Sequence, residues 1–263
     1  MSVDILKEQT EERELREECA KQYRYGDSKK ILKAVSAYHC IPVMSRKARE
    51  YRARFNASEW MLDIGCGTGY YWRDTRGAKL ILMDFAFGNL MAAKTMLKEE
   101  CGIIFVQADA ANLPLKSDSL SGIWSVQVTQ HFPDSVMHSF LEESGRVLKE
   151  RFLLEIYNLN PAILLKVFYK LLGKKFHIKG KSGKTVFNRL NAQELVVLWR
   201  SIKREVKFSF GYSELFFHPD MYIKPQARAI EFIENFFNKA PWLSRFFSRQ
   251  IQIKISSGDF YTR

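Results

Sequence analysis

The sequence lacks the features that define several protein classes. The 263 residues contain no run of about 18 apolar residues, which predicts that no helix spans a membrane. The first ten residues are polar and acidic, unlike a secretory signal peptide. The four cysteines are scattered without a Cys-x-x-Cys pair, and the five histidines are scattered too. We therefore predict reduced thiols, a cytoplasmic location, and neither a disulfide framework nor a metal site.

Acidic residues are scarce in the second part of the chain. The formal net charge is +12, and residues 1–150 hold 21 basic and 21 acidic residues. Residues 151–263 hold 20 basic residues but only 8 acidic ones. The positive charge is therefore expected to form a local surface. With 46% hydrophobic and 27% charged residues, the composition is that of an ordinary globular protein and excludes a disordered chain.

Short apolar runs alternate with helical patterns from residue 60 onwards. The runs predict seven strands at residues 60–64, 79–83, 103–107, 122–128, 151–157, 205–210 and 251–255. Buried strands that alternate with helices are typical of a parallel sheet covered on both faces. We therefore predict an α/β fold with a seven-stranded, mostly parallel sheet and helices on both faces.

The flanking segments are predicted to be helical. Residues 3–24 are rich in Glu, Lys and Arg at helical spacing, and residues 29–55 form a second helical pattern interrupted near Pro42. We predict an N-terminal helical cap at residues 1–57. The domain at 58–263 is predicted to carry a basic helical insertion at 158–190, after the fifth strand.

A glycine loop follows the first predicted strand. Gly65, Gly67 and Gly69 alternate after Asp63, and glycine is needed where a backbone turns sharply or touches a ligand. Such a loop at the start of a helix would offer unpaired N–H groups. Asp84 lies 19 residues after Gly65, at the end of the next strand, where an acid accepts hydrogen bonds from ribose hydroxyls.

These residues resemble the class I S-adenosylmethionine-dependent methyltransferases, specifically the small-molecule branch. Leu62-Asp63-Ile64-Gly65-Cys66-Gly67-Thr68-Gly69 is similar to that family's first motif at every position. It differs from the dinucleotide fingerprint, whose third glycine lies one residue later. The resemblance implies a Rossmann-like domain that uses S-adenosyl-L-methionine and releases S-adenosyl-L-homocysteine. It covers residues 58–157 well and the last strands loosely.

The resemblance also implies a set of cofactor-binding residues. Ala108-Asp109-Ala110 resembles the adenine-contacting segment, and residues 125–132 resemble the exit of the fourth strand beneath the methionine part of the cofactor. Phe85 either lies against the adenine ring or packs in the core, and Cys66 is expected to contribute its backbone. The implied cofactor-binding residues are Asp63, Gly65, Cys66, Gly67, Thr68, Gly69, Asp84, Phe85, Asp109, Ala110, Gln127 and Val128.

The sequence departs from the family before the fifth strand. The family usually has a Pro-Gly-Gly-like turn after its Arg-x-Leu-Lys element, whereas Lys149 here is followed by Glu150 and Arg151. We therefore expect a tighter or differently built turn at this point, away from the cofactor.

The chemistry implied by the family needs few catalytic groups. Methyl transfer from a sulfonium is a direct displacement that depends on alignment and exclusion of water, and no metal is required. An acceptor with a proton to lose is helped by a base. His131 is the candidate base, because it directly follows the fourth strand, although it could also simply pack or form a hydrogen bond. Tyr25, Tyr157 and His218 are weaker candidates.

The insertion after strand five is basic, and its role has several interpretations. No acid occurs between Ile156 and Gln193. The segment could recruit an anionic acceptor, contact anionic lipid headgroups at a membrane surface, or bind nucleic acid. It could equally be a solvated face balanced by the acidic first helix. Its basic residues are Lys166, Lys170, Lys174, Lys175, Lys179, Lys181, Lys184 and Arg189.

The leading hypothesis is a methyltransferase that acts on a small-molecule acceptor, either anionic or hydrophobic. One alternative is methylation of a peptide, a protein or RNA. Nucleic acid is disfavoured, because no nucleic-acid module is recognisable. In addition, residues 129–132 lack the Asn/Asp-Pro-Pro-aromatic sequence of enzymes that methylate amino groups of nucleic acids. The other alternative is a non-catalytic protein that binds an adenosyl ligand with the same fold.

Overall fold

The computed structural model describes most of the central domain. It covers residues 10, 14, 40–75, 77, 79–97, 102–132, 134–159, 171, 192–202, 206–215, 232, 235–236 and 239–260. The predicted helix at 3–24, except for residues 10 and 14, and nearly all of the predicted insertion at 158–190 lie outside the described residues. No helix in the described ranges is long and apolar enough to cross a membrane.

Seven strands form one sheet in the order β3-β2-β1-β4-β5-β7-β6. The strands are β1 (Trp60–Ile64), β2 (Lys79–Asp84), β3 (Ile103–Gln107), β4 (Leu120–Val126), β5 (Leu148–Leu159), β6 (Val206–Leu215) and β7 (Ser248–Ser257). Strands β1 to β5 pair in parallel, whereas β7 is antiparallel to both β5 and β6. The predicted seven-stranded α/β fold is confirmed, with the refinement that the sheet is mixed.

Helices cover both faces of the sheet, and each face has its own apolar core. The helices whose bounds lie within the described ranges are α1 (Cys40–Arg52), α2 (Phe87–Met96), α3 (Asp134–Val147), α4 (Ala192–Ile202) and α5 (Pro241–Phe247). Side chains of α1 and α2 pack with Met61, Leu82 and Trp124 on one face. Side chains of α3 and α4 pack with Leu62 and Ile123 on the other. Neighbouring residues such as Ile123 and Trp124 therefore point to opposite cores, as the two-residue period of a strand requires.

Helix α1 is anchored to the centre of the sheet. It begins at Cys40, so that Pro42 lies in its first turn, where a missing N–H breaks no helical hydrogen bond. The Tyr51 hydroxyl donates to the carbonyl of Leu153 at 2.8 Å. A Cβ at Gly122 would lie 2.4 Å from that hydroxyl, so glycine is required for this close approach. The predicted domain boundary after residue 57 stays a prediction.

Helix α3 enters β5 without a separate turn. The helix ends at Val147 and the strand starts at Leu148. Pairing with β4 then jumps from Leu120–Leu148 to Gly122–Leu153, so β5 contains three more residues than β4 over this stretch. This irregular pairing around Lys149–Arg151 takes the position of the family's turn.

Candidate active site

The glycine loop leaves β1 through three left-handed backbone positions. Gly65, Gly67 and Gly69 have φ values of +70°, +53° and +68°. A Cβ at Gly65 would lie 2.2 Å from Cγ2 of Val128, which follows β4, whereas a Cβ at Gly67 would meet nothing within 4 Å. Gly65 is therefore required by close packing as well as by its φ, and Gly67 lies beside open space.

The N–H groups of this loop bond mostly within the protein. The amides of Gly65 and Cys66 donate to the carbonyl of Met83 at 2.8 and 2.9 Å, and the amide of Gly69 donates to the carbonyl of Cys66 at 3.0 Å. A 3-10 turn follows at Tyr70–Trp72. The expectation of unpaired N–H groups at a helix start is therefore wrong for these residues, because β2 and the loop itself use them.

Asp84 joins the loop to the end of β2. Its Oδ2 accepts the amide N–H of Gly67 at 2.8 Å, and its Oδ1 accepts the amide N–H of Ala86 at 2.9 Å and the side-chain amide of Asn89 at 3.2 Å. The carboxylate is only 6% exposed. Asp84 therefore fixes the shape of the loop at the position where the sequence predicts a ribose contact.

Asp63 is a second buried carboxyl group beneath the loop. It is 3% exposed, and the indole N–H of Trp72 donates to its Oδ2 at 2.7 Å. Burial raises the pKa of Asp63 to about 7, the hydrogen bond from Trp72 opposes this rise, and the negative charge of Asp84 adds to it. The sequence motif gave no sign that Trp72 would be its partner.

Asp63 is expected to make stability depend on pH. In the unfolded chain the carboxyl group of Asp63 loses its proton near pH 4, whereas in the folded chain it keeps the proton up to about pH 7. The free energy of unfolding therefore falls as the pH rises from about 4 towards 7. Relative to Asp63→Asn, the wild-type free energy of unfolding should fall by up to roughly 3 kcal/mol between pH 5 and pH 8. Denaturant unfolding of both proteins measures this difference, and a difference that ignores pH would contradict the account.

The exit of β4 lies against the glycine loop. Gln127 has a positive φ of 57°, unusual for a residue other than glycine, and its amide donates to the carbonyl of Tyr157 at 2.7 Å. The buried hydroxyl of Thr129 donates to Oδ1 of Asn158 at 2.7 Å. Such a constrained backbone is common at ligand sites. Gln127 and Val128 therefore stand beside the predicted cofactor loop.

His131 ends the 3-10 turn Thr129–His131 and is half-buried. Its amide donates to the carbonyl of Val128 at 2.9 Å, and its Nε2 lies 3.3 Å from Nε2 of Gln130. The structure thus places His131 near the exit of β4, and its role as a base stays a prediction. Among the weaker candidates, Tyr25 and His218 lie outside the described residues.

Tyr157 is held by a buried carboxylate. Its hydroxyl donates to Oε2 of Glu155 at 2.7 Å, and burial, together with the charge of Glu155, raises the pKa of Tyr157 well above its usual value. The hydroxyl would therefore lose its proton less readily than an ordinary tyrosine. Tyr157 is a poor candidate for a general base.

The residues predicted to contact adenine follow adjacent strands. Phe85 follows β2 and is half-buried, and its carbonyl accepts the side-chain amide of Gln107 at 3.1 Å. Asp109 follows β3, and its Oδ1 accepts the amide N–H of Ala111 at 2.9 Å. Ala110 is buried. Phe85 and Asp109 thus lie at the same edge of the sheet, while their contact with a ligand stays a prediction.

Cys66 is a free, buried thiol within the loop. Burial raises the pKa of Cys66, and the charges of Asp84 and Asp63 raise it further. A nucleophilic thiolate is therefore disfavoured. In the part of the chain that the structure describes, no cluster of His, Cys, Asp and Glu could hold a metal ion.

A polar cavity that the sequence did not predict lies between α1 and strands β6 and β7. We call it the edge cavity; it has a volume of about 300 Å³ and lies beside the buried carboxylate of Glu155. Glu155 accepts the side-chain amide of Gln252 at 2.9 Å. Strand register and the packing of α1 bring these residues together, so no local motif could reveal them. The cavity is lined by Lys47, Ser209, Phe210, Gly211, Tyr212, Gln252 and Lys254.

The part of the chain that contains the glycine loop is similar in sequence to known proteins. Residues 61–151 match the family model described as a methyltransferase domain. Over 147 residues the chain is 31% identical to a malonyl-[acyl-carrier protein] O-methyltransferase of Methylovorus sp. (strain MP688). This match covers 50% of the chain and 49% of that relative, so it spans about half the length of the relative.

Solved structures share the fold at low identity. A possible histamine N-methyltransferase of Thermotoga maritima has a TM-score of 0.53 and 19% identity, covering 89% of this chain and 96% of that chain. Phosphoethanolamine N-methyltransferase 2 of Haemonchus contortus, in complex with S-adenosyl-L-methionine, has a TM-score of 0.53 and 12% identity, covering 82% and 52%. Residues 61–151 therefore resemble a methyltransferase domain, and solved methyltransferase structures share the fold of the chain.

Proposed function

We propose that the chain binds S-adenosyl-L-methionine and transfers its methyl group to a small-molecule acceptor. The observation that carries the proposal is the closure of the glycine loop on Asp84 between β1 and β2. Strand order reverses between β1 and β4, and open α/β sheets bind ligands in the crevice at such a switch point. Gly65, at the end of β1, contacts Val128 after β4 across this crevice.

The hydrogen bonding of the loop favours an adenosyl ligand over a dinucleotide. A pyrophosphate is bound by N–H groups that point out of the loop towards the ligand. Here the amides of Gly65, Cys66 and Gly69 are bound to backbone carbonyls, and that of Gly67 is bound to Asp84. S-adenosyl-L-methionine has no phosphate that would require free N–H groups. Its binding depends more on the open space beside Gly67 and on the carboxylate of Asp84.

The residues around the crevice then have distinct roles. Asp84 holds the ribose hydroxyls, Phe85 and Asp109 border the adenine, and Gln127 lies beside the methionine part. The sulfonium supplies an activated methyl group, so the protein mainly aligns the acceptor and excludes water. His131 would accept a proton from an acceptor that must lose one.

The acceptor is proposed to be anionic. The malonyl group named for the curated relative and the phosphoethanolamine named for the solved structure are both anionic, which supports an acceptor of this charge. The +12 net charge supports it as well. A hydrophobic acceptor, a peptide, protein or RNA acceptor, and a non-catalytic adenosyl-binding role remain the alternatives. The cytoplasmic location and the helical cap at 1–57 also stay proposals.

Direct assay of methyl transfer tests this function. The full chain should transfer radiolabel from S-adenosyl-L-methionine to one of two anionic small-molecule acceptors, a malonyl thioester of a small thiol or phosphoethanolamine. The Asp84→Ala variant serves as the inactive control. If S-adenosyl-L-homocysteine binds but neither these nor related anionic small molecules become labelled, the non-catalytic alternative or a polymeric acceptor is favoured.

His131→Ala is expected to separate catalysis from cofactor binding. If His131 removes a proton from the acceptor, kcat should fall about 100-fold or more, because general bases contribute on this scale. Affinity for S-adenosyl-L-homocysteine should change less than about twofold, because a general base acts on the acceptor and not on the cofactor. His138→Ala, at an exposed position on α3, is the matched control. An unchanged kcat in His131→Ala would exclude this residue as the base.

A further inference from the structure

The edge cavity carries more positive than negative charge. Its lining includes Lys47 from α1 and Lys254 from β7, and Glu155 lies beside it at 1% exposure. Oε1 of Glu155 lies 2.5 Å from Nη1 of Arg54 and 3.4 Å from Nζ of Lys254. The charged residues that line the cavity itself are Lys47 and Lys254. An additional anion would therefore be attracted into the cavity.

The groups that would meet an anion are held in place. Lys254 is only 23% exposed at its side chain and is oriented by Glu155. The ammonium of Lys47 lies 5.1 Å from the centre of the Tyr157 ring, in a cation–π contact on the side of α1. Gln252 donates its amide to Glu155 at 2.9 Å. Such prior positioning reduces the entropy that is lost when a ligand binds.

The register of the sheet places the edge cavity two to three strands away from β4. Val126 at the end of β4 pairs with Tyr157, which pairs with Gln252, which pairs with Gly211. Adjacent strands lie about 4.8 Å apart, so two to three steps from β4 to the cavity span about 10–14 Å. An anionic group bound in the cavity would therefore lie too far from the exit of β4 to contain the atom that receives the methyl group.

We propose that the edge cavity binds an anionic group of the methyl acceptor, a carboxylate or a phosphate, at a distance from its methyl-accepting atom. This inference rests on the proposed methyltransferase function. The acceptor is therefore an elongated molecule whose charged end lies between α1, β6 and β7. Binding energy from this remote end would align the reacting end at the exit of β4.

Titration of small anions into the full chain tests the cavity directly. Malonate and inorganic phosphate are the two probes, each titrated at low salt with and without saturating S-adenosyl-L-homocysteine. We expect one site per chain, with the tighter probe identifying carboxylate or phosphate. Lys47→Met and Lys254→Met should each weaken probe binding about tenfold, since each removes one charged contact. Lys254→Arg should retain binding within about threefold because it keeps the charge.

Two comparisons make the result specific. Lys116→Met removes an exposed charge before β4, at the opposite edge of the sheet, and should leave probe affinity unchanged. Saturating S-adenosyl-L-homocysteine should not compete with the probe, because the two sites are separate. Lys47→Met keeps the test decisive if Lys254→Met fails to fold, since Lys254 also faces Glu155.

Three results would overturn the proposal. They are the absence of binding by both anions, unchanged affinity in folded Lys47→Met, and competition between the probe and S-adenosyl-L-homocysteine. Failure of S-adenosyl-L-homocysteine to bind would instead count against the methyltransferase function, while the titrations without it still decide whether the cavity binds anions.

Discussion

The Gly65→Ala variant should lose S-adenosyl-L-homocysteine binding by about 100-fold or more, corresponding to a few kcal/mol. Two costs combine at this position. A side chain at φ +70° costs about 1–2 kcal/mol in the left-handed region. The new Cβ would also lie 2.2 Å from Cγ2 of Val128, and overpacking of this kind costs about 1–3 kcal/mol. The loop must move away from β4 to relieve the clash.

Two further variants separate the clash from the backbone cost. Gly77→Ala has a similar φ of 64° with nothing within 4 Å of the new Cβ, so it should lower stability by about 1 kcal/mol and leave ligand affinity unchanged. Adding Val128→Ala to Gly65→Ala should recover part of the lost stability, because it removes Cγ1 and Cγ2, the two atoms nearest to the new Cβ. Calorimetry and denaturant unfolding measure both effects, and near-wild-type binding by Gly65→Ala would refute the packing argument.

Asp84→Ala should weaken S-adenosyl-L-homocysteine binding about 100- to 1,000-fold. Hydrogen bonds from the ribose to a charged group contribute about 1.5–3 kcal/mol each, and the glycine loop also loses the carboxylate that holds it. Gly67 and Ala86 both lose their side-chain acceptor in this variant. Asn89→Ala, which removes one donor to Asp84 but leaves the acid, should weaken binding far less.

Deoxy ligands distinguish ribose recognition from loop support. Wild-type protein should bind the 2′-deoxy and 3′-deoxy forms of S-adenosyl-L-homocysteine about tenfold or more weakly than the parent, since each lacks a hydrogen bond to the acid. Asp84→Ala should bind all three ligands with similar affinity. If the variant still discriminates among them, another group recognises the ribose, and Asp84 acts only on the loop.

The sequence predicted the centre of the molecule well because its signals are local. Gly65, Gly67 and Gly69 follow a short apolar strand directly, and Asp84 closes the next strand, so their arrangement can be inferred from spacing. The short apolar runs likewise predicted the seven strands. Their ends were less well predicted, because β5, β6 and β7 extend beyond the apolar runs through polar residues such as Asn158, Ser213 and Gln250.

The sequence could not reveal contacts that depend on the pairing of distant strands. Glu155 and Lys254 are 99 positions apart and meet only because β7 pairs with β5 in one register. Lys47 joins them from α1, through the packing of that helix on the sheet. The direction of β7 was not predicted, although the alternation Ile251-Gln252-Ile253-Lys254-Ile255 is a pattern that antiparallel strands often have. The sequence also did not reveal that loop amides donate within the protein, because this depends on the carbonyl of Met83 lying beside the loop.

Titration of S-adenosyl-L-homocysteine into the full chain by calorimetry tests the central claim most directly. We expect one ligand to bind per chain, with a dissociation constant of about 1–100 μM, and the affinity to fall sharply in Gly65→Ala but not in Gly77→Ala. No binding at ligand concentrations up to about 1 mM, with the wild-type chain folded, would contradict the assignment of the glycine loop and Asp84 as a cofactor site.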